Sequence, residues 1–213
     1  MVSALAAALG GPLWAIPELL LAAFVLYFFR DPERTPPSGE PIVSPADGRI
    51  VDLREIELDG QRMWKISVFL SIFDVHVNRS PIAGVIRDVQ YTRGKFVVAS
   101  RPEASLENEQ NTVTIQGEHF TVIFKQIAGL IARRIVFNKK VGDLVECGER
   151  VGLIKFGSRV DVFFPLHLQP MVSIGNRVQA GRSVLGCARD SQMQAVEHRS
   201  DVNREAAGTA LKI

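Results

Sequence analysis

Two stretches of the chain repeat one pattern. Val141-Gly142-Asp143-Leu144-Val145-Glu146-Cys147-Gly148-Glu149-Arg150-Val151-Gly152 is echoed by Ile174-Gly175-Asn176-Arg177-Val178-Gln179-Ala180-Gly181-Arg182-Ser183-Val184-Leu185-Gly186, and both read apolar-Gly-polar-x-Val-x-x-Gly. Glycines at such spacing supply the positive φ of tight turns, so each copy predicts turns between very short strands. The intervening body agrees. Ile50–Leu53, Trp64–Leu70, Gly84–Gln90, Thr112–Ile115, Phe120–Gln126, Arg134–Phe137, Val151–Phe156 and Val160–Phe164 are β-branched or aromatic runs and read as strands. This spacing predicts a mainly β body, a barrel or a sandwich, with little helix after residue 30. Leu106–Asn111 reads as a loop.

The glycine-rich echo resembles a barrel-sandwich hybrid, the fold type that includes lipoyl and biotinyl carriers. A carrier needs a modified lysine at a hairpin tip between the two halves. Here Lys155 lies in a strand pattern, which disfavours that role. A zinc peptidase on similar repeats needs a histidine and aspartate ligand set, and none is evident. His76, His119, His167 and His198 form no HExxH or HxH pattern, so no metal site is expected. Cys147 and Cys187 have no CxxC spacing, which argues against a disulfide framework. With 25 basic and 23 acidic residues the net charge is +2, so a nucleic-acid partner is not expected.

The chain is uneven along its length. Residues 1–29 are apolar with a single charge, Glu18, and Leu19–Phe29 is apolar throughout. Gly10-Gly11-Pro12 and Pro17-Glu18 interrupt the stretch, whereas a clean span needs about 20 apolar residues. Two short helical pieces associating with one leaflet fit better than one ideal span. A tilted, proline-kinked span, a signal peptide and a buried core helix are the alternatives. Arg30 and Arg34 follow directly, which favours a body on the cytoplasmic side. Residues 30–41, with four prolines, read as an extended linker. Residues 42–189 form the β domain, and 190–213 a polar tail.

Three segments carry candidate chemistry: Ser44-Pro45-Ala46-Asp47-Gly48, Phe73-Asp74-Val75-His76-Val77-Asn78-Arg79-Ser80-Pro81, and Phe156-Gly157-Ser158-Arg159. Each alone reads as a turn or a structural histidine. Together with RDPERTPP, YTRGKF, ENEQN, QIAGLIARRI and IKFGSRVDVFFP, in order from Arg30 to Pro165, they resemble the phosphatidylserine decarboxylase family in its short prokaryotic form.

That resemblance implies a membrane-bound proenzyme that cuts itself between Gly157 and Ser158 into chains 1–157 and 158–213. These two chains stay together as a heterodimer, with which a higher oligomer is compatible. It implies that Ser158 becomes a covalent pyruvoyl group, the electron sink for converting phosphatidylserine to phosphatidylethanolamine and CO₂. It assigns His76 as base and proton donor and Asp47 as the carboxylate that orients it. Arg79, Arg133 and Arg134 are candidates for the substrate's anionic groups. The lipid substrate and the apolar leader together imply an enzyme at the cell membrane, peripheral or monotopic, on the cytoplasmic side that Arg30 and Arg34 favour. On this division the leader serves lipid access, and removal of residues 1–29 leaves self-cleavage largely intact while lowering turnover of lipid in vesicles. Two departures stand out: Arg79 occupies the place of a second histidine in longer members, and Arg159 follows the serine where threonine is common. Arginine is no base near neutral pH, so the cleavage base is either His76 or a group elsewhere. A non-enzymatic, membrane-tethered β module and a pyruvoyl decarboxylase of a soluble amino acid are the rival functions.

Overall fold

A computed structural model describes residues 15–94, 108–129, 134–155 and 157–188. The first part of the leader, Arg133, Phe156 and the polar tail lie outside these residues. The protein is mainly β, and its largest sheet curls into half a barrel. The strands are β1 (Ile42–Val43), β2 (Gly48–Leu58), β3 (Gln61–Leu70), β4 (Val77–Arg79), β5 (Gly84–Thr92), β6 (Gln110–Gln116), β7 (Thr121–Ala128), β8 (Ile135–Phe137), β9 (Leu144–Val145), β10 (Arg150–Ile154), β11 (Ser158–Pro165), β12 (Leu168–Pro170), β13 (Arg177–Val178) and β14 (Val184–Ala188). Every long strand expected from the sequence is present. Gln110 and Asn111, expected in a loop, begin β6.

The large sheet has the order β13-β2-β3-β11-β7-β6-β5-β9, and two small sheets have the orders β1-β14-β12 and β4-β10-β8. These orders reveal a nested duplication. Replacing β1, β2, β3, β11, β12, β13 and β14 by β4, β5, β6, β7, β8, β9 and β10 reproduces every pairing. One copy, residues 77–154, is thus inserted between β3 and β11 of the other. Hydrogen bonds repeat the relation. Gly175 N donates to Ile50 O and Gly142 N to Ile86 O, both at 2.8 Å. Val43 N donates to Pro81 O and Arg79 N to Pro45 O, both at 2.9 Å. The sequence counterpart is Ser44-Pro45-Ala46-Asp47-Gly48-Arg49-Ile50 beside Ser80-Pro81-Ile82-Ala83-Gly84-Val85-Ile86. Both glycines have positive φ, 151° and 159°, and a Cβ on either would lie 2.0–2.3 Å from a carbonyl oxygen of the neighbouring strand.

Alternate residues fill the core, as the two-residue period of a strand requires. Ile66, Val68 and Leu70 of β3 meet Val160, Val162 and Phe164 of β11 and Val122 and Phe124 of β7. Each such side chain contributes about 1.5–3 kcal/mol on burial. The other face of β11 is buried too and carries charge. Arg159 and Asp161 pair at 2.9 Å with 3% and 0% side-chain exposure, and Lys65 Nζ lies 3.5 Å from Asp161.

The leader forms helix α1 (Ile16–Phe28), with Pro17 and Glu18 in its first turn. Proline is tolerated there because its missing N–H would have had no partner, and a carboxylate suits the positive helix end. Leu19, Leu20, Leu21 and Leu26 are 61–76% exposed, while Phe28 is 1% exposed. No helix of the described residues is long and apolar enough to cross a membrane. The proline-rich segment after α1 lies tied against the body. Arg34 reaches both oxygens of Asp47 and the Ala180 carbonyl, Asp31 meets Arg79 and Arg150, and Glu33 meets Arg150.

Candidate active site

The two seams of the insertion face each other. Leu70, the last residue of β3, pairs with Ser158, and Val77 of β4 pairs with Leu153. The chain enters the inserted copy through 71–76 and leaves it through 155–157, so the crossings that carry His76 and Gly157–Ser158 are brought together. The Ile154 N–H donates to the His76 carbonyl at 3.3 Å across this seam.

Each crossing has a local reason for its shape. Asp74 Oδ2 accepts from both Ser71 N and Ser71 Oγ at 2.8 Å, which closes a tight turn. The turn aims the Asp74 carbonyl at His76 Nδ1, 2.8 Å away. A carbonyl only accepts, so Nδ1 carries the proton and the neutral ring presents its lone pair at Nε2. On the other side, Gly157 has φ +59°, the left-handed region, which costs a non-glycine residue roughly 1–2 kcal/mol. Ser158 then opens β11 with no exposed surface.

His76 Nε2 and Ser158 Oγ are both buried and have no hydrogen-bond partner among the described residues. Buried polar groups are nearly always paired; other buried atoms, such as Ser67 Oγ and Gln110 Oε1, also lack a partner, but these two lie on the neighbouring crossings and make them the candidate site. Burial lowers the His76 pKa from its ordinary 6.5, and Arg30 adds to this. The Asp74 carbonyl and the carboxylates of Asp74 and Asp47 oppose it. The ring is therefore neutral, the form a base requires, near pH 7. The half-buried thiol of Cys147 is pushed up to about 11 by burial and carries essentially no thiolate at that pH. Beside the His76 turn lies a cleft of about 470 Å³ lined by Tyr27, Arg30, Asp47, Phe73, Asp74 and Arg177, among others.

The family model described as phosphatidylserine decarboxylase matches residues 21–186. A phosphatidylserine decarboxylase proenzyme of Solibacter usitatus is 58% identical over 183 residues, 86% of this chain and 88% of that protein. Those of Polynucleobacter asymbioticus and Ralstonia nicotianae are 47% and 49% identical, over 83% and 81% of this chain and 84% and 82% of theirs. The chain belongs to the phosphatidylserine decarboxylase family.

Against that family's pattern, the structure distributes the expected residues unevenly. His76 and Ser158 sit on the facing seams. Asp47 lies close enough to influence His76 by charge, but its hydrogen bonds go elsewhere, to Arg34 and to Ala180 N. The atom that orients the imidazole is the carbonyl of Asp74, two residues before the histidine in Asp74-Val75-His76. Arg79 is 5% exposed and donates to Gly148 O, Asp31 and Pro32 O, so it fastens the proline-rich segment. Arg134 is an exposed residue whose carbonyl accepts from Lys155 N. Arg133 lies outside the described residues. The cations at the cleft are Arg30, the first residue of RDPERTPP, and Arg177, and neither was among the arginines expected to meet the substrate's anionic groups.

Proposed function

We propose that the protein decarboxylates phosphatidylserine to phosphatidylethanolamine with a pyruvoyl group made from its own Ser158. The observation that carries this is the pair of orphaned buried atoms, Ser158 Oγ and His76 Nε2, in a chain of this family. A buried serine hydroxyl with no partner, next to a left-handed glycine, fits a group formed by cutting the Gly157–Ser158 bond. Ser158 Oγ attacks the Gly157 carbonyl as its proton passes to His76, and the amide becomes an ester. Loss of the Ser158 α-proton breaks the Cβ–O bond, freeing the Gly157 carboxylate and leaving a dehydroalanine at 158. Its hydrolysis releases ammonia and leaves the pyruvoyl end. That ketone, once present, supplies an electron sink for the pair released with CO₂. His76 then holds the proton for the carbanion, and Arg30 and Arg177 offer positive charge to the headgroup. Chains 1–157 and 158–213 remain one heterodimer.

The exposed apolar side chains of α1, with Phe73 at 61% exposure beside them, support a membrane-associating face that brings the diacyl substrate to the cleft, and Arg30 and Arg34 directly after the helix favour the cytoplasmic side. The duplicated, glycine-turned sheets support a barrel-sandwich-hybrid-like body. The test is product formation on vesicles containing phosphatidylserine. Wild type is expected to form phosphatidylethanolamine and Ser158→Ala none. Product from the alanine variant, or none from a cut wild-type protein, would overturn the reading.

A further inference from the structure

Helix α1 ends on the histidine. The Phe28 ring centroid lies 4.2 Å from that of His76, with the ring planes 35° apart. Phe28 is 1% exposed, whereas Leu19, Leu20, Leu21, Val25, Leu26 and Tyr27 of the same helix are 43–76% exposed. Its seat is fastened. Tyr27 Oη and Arg30 Nη2 both donate to the Phe73 carbonyl, at 3.3 and 2.7 Å. Arg30 Nη1 donates to Tyr27 O at 2.8 Å, and its guanidinium lies 3.8 Å above the Tyr27 ring. Phe73 directly precedes Asp74, whose carbonyl holds His76 Nδ1. The helix end and the imidazole are therefore tied to one turn.

We propose that Phe28, seated by Tyr27 and Arg30, is a positioning residue for His76 that covers one face of the imidazole and keeps water from it. The inference rests on the reading of His76 as the base of self-cleavage. It also moves the boundary expected from the sequence, because the leader then serves the chemistry as well as lipid access, and its removal slows the cut. Four groups on four elements act on the ring: Phe28 of α1, Asp74 of the β3–β4 turn, Arg30 after the helix, and Asp47 of the β1–β2 turn. The two carboxylates favour imidazolium, while burial and Arg30 oppose it. Without the Phe28 ring, water reaches the imidazole and the carboxylates prevail.

The experiment uses the full chain in detergent micelles. In a Ser158→Ala background, which keeps the chain uncut, the imidazole of His76 is titrated by NMR, its signal identified by its loss in His76→Gln. Phe28→Ala is expected to move the midpoint upward, toward or past 6.5, while Phe28→Leu, still apolar, stays near the parent. With Ser158 restored, the acid limb of the cleavage-rate profile in Phe28→Ala is expected to move upward by the same interval, so that cutting at pH 6 slows severalfold. If Phe28→Ala does not fold, Phe28→Val carries the same comparison. An unchanged His76 midpoint in a folded variant overturns the inference, whatever the cleavage rate does. A midpoint that moves while the cleavage profile stays fixed leaves the packing inference standing and overturns His76 as the base.

Discussion

His76 is held by a backbone carbonyl on one nitrogen and left bare on the other, and its protonation follows from what surrounds it. Desolvation lowers its pKa, so self-cleavage is expected to keep its full rate somewhat below pH 6.5 and to fall as the ring protonates. The sign is fixed because only the neutral ring can accept the Ser158 proton. Below 6.5 the unfolded chain binds a proton that the folded one resists, so stability declines in the same window. His76→Ala is expected to slow cutting by about 10²–10⁴-fold, the usual worth of general acid–base help, and a gel time course reads it. Asp47 and Arg34 supply a sharper contrast. The pair is largely buried, with side-chain exposures of 13% and 8%. Breaking such a pair costs about 3–5 kcal/mol. If Asp47 acts by bracing the proline-rich segment, Arg34→Ala reproduces the loss of melting temperature and the slower cutting of Asp47→Ala. Slow cutting in Asp47→Ala alone would show direct action on the imidazole. The resemblance named Ser158, His76 and Asp47 as a set, but not which hydrogen bonds they make. A carboxylate can be drawn to a nearby guanidinium as readily as to an imidazole, and spacing along the chain does not decide between them.

The elements show what periodicity can and cannot carry. The long strands alternate apolar residues against one core and were readable. β9 and β13 are two residues long, set by the duplicated glycine turns at Gly142, Gly148, Gly175 and Gly181 rather than by any pattern of their own. β6 begins earlier than expected because amides replace apolar residues there. Asn111 Nδ2 donates to Gln126 Oε1 at 2.9 Å, and Gln126 Nε2 donates to Asn78 Oδ1 at 2.8 Å, all three buried. Such a chain reads as polar loop in a sequence yet is satisfied in the interior. Gln126→Leu strips a partner from each neighbour and is expected to cost about 1–3 kcal/mol per orphaned amide, measurable by chemical denaturation. The charged face of β11 was hidden for the same reason. Asp161→Ala leaves Arg159 and Lys65 without the carboxylate between them, and a loss of about 3–5 kcal/mol is expected.

At the scale of the molecule, the nesting of one copy inside the other explains where the site lies. The inserted copy must be entered and left at neighbouring points, since β11 pairs along its whole length with β3, from Ser158 opposite Leu70 to Pro165 opposite Met63. The segment carrying His76 and the Gly157–Ser158 bond are those two points. The sequence showed one half of the duplication, the paired glycine repeats. It hid the other, because the second partner begins with Ser44-Pro45 and Ser80-Pro81, separated by β2 and β3. The same topology would hold the two chains together after a cut between Gly157 and Ser158. β11 belongs to the smaller chain but lies between β3 and β7 of the larger, so the two chains are expected to co-elute natively and to part only in denaturant. The most direct test of self-cleavage at Ser158 is therefore the intact mass of the purified protein under denaturing conditions. Two chains are expected, residues 1–157 and residues 158–213, the second lighter than its sequence by the conversion of Ser158 to a pyruvoyl group and blocked to sequencing. A single uncut chain of 23.5 kDa, or a smaller chain with a free amine at Ser158, would contradict it.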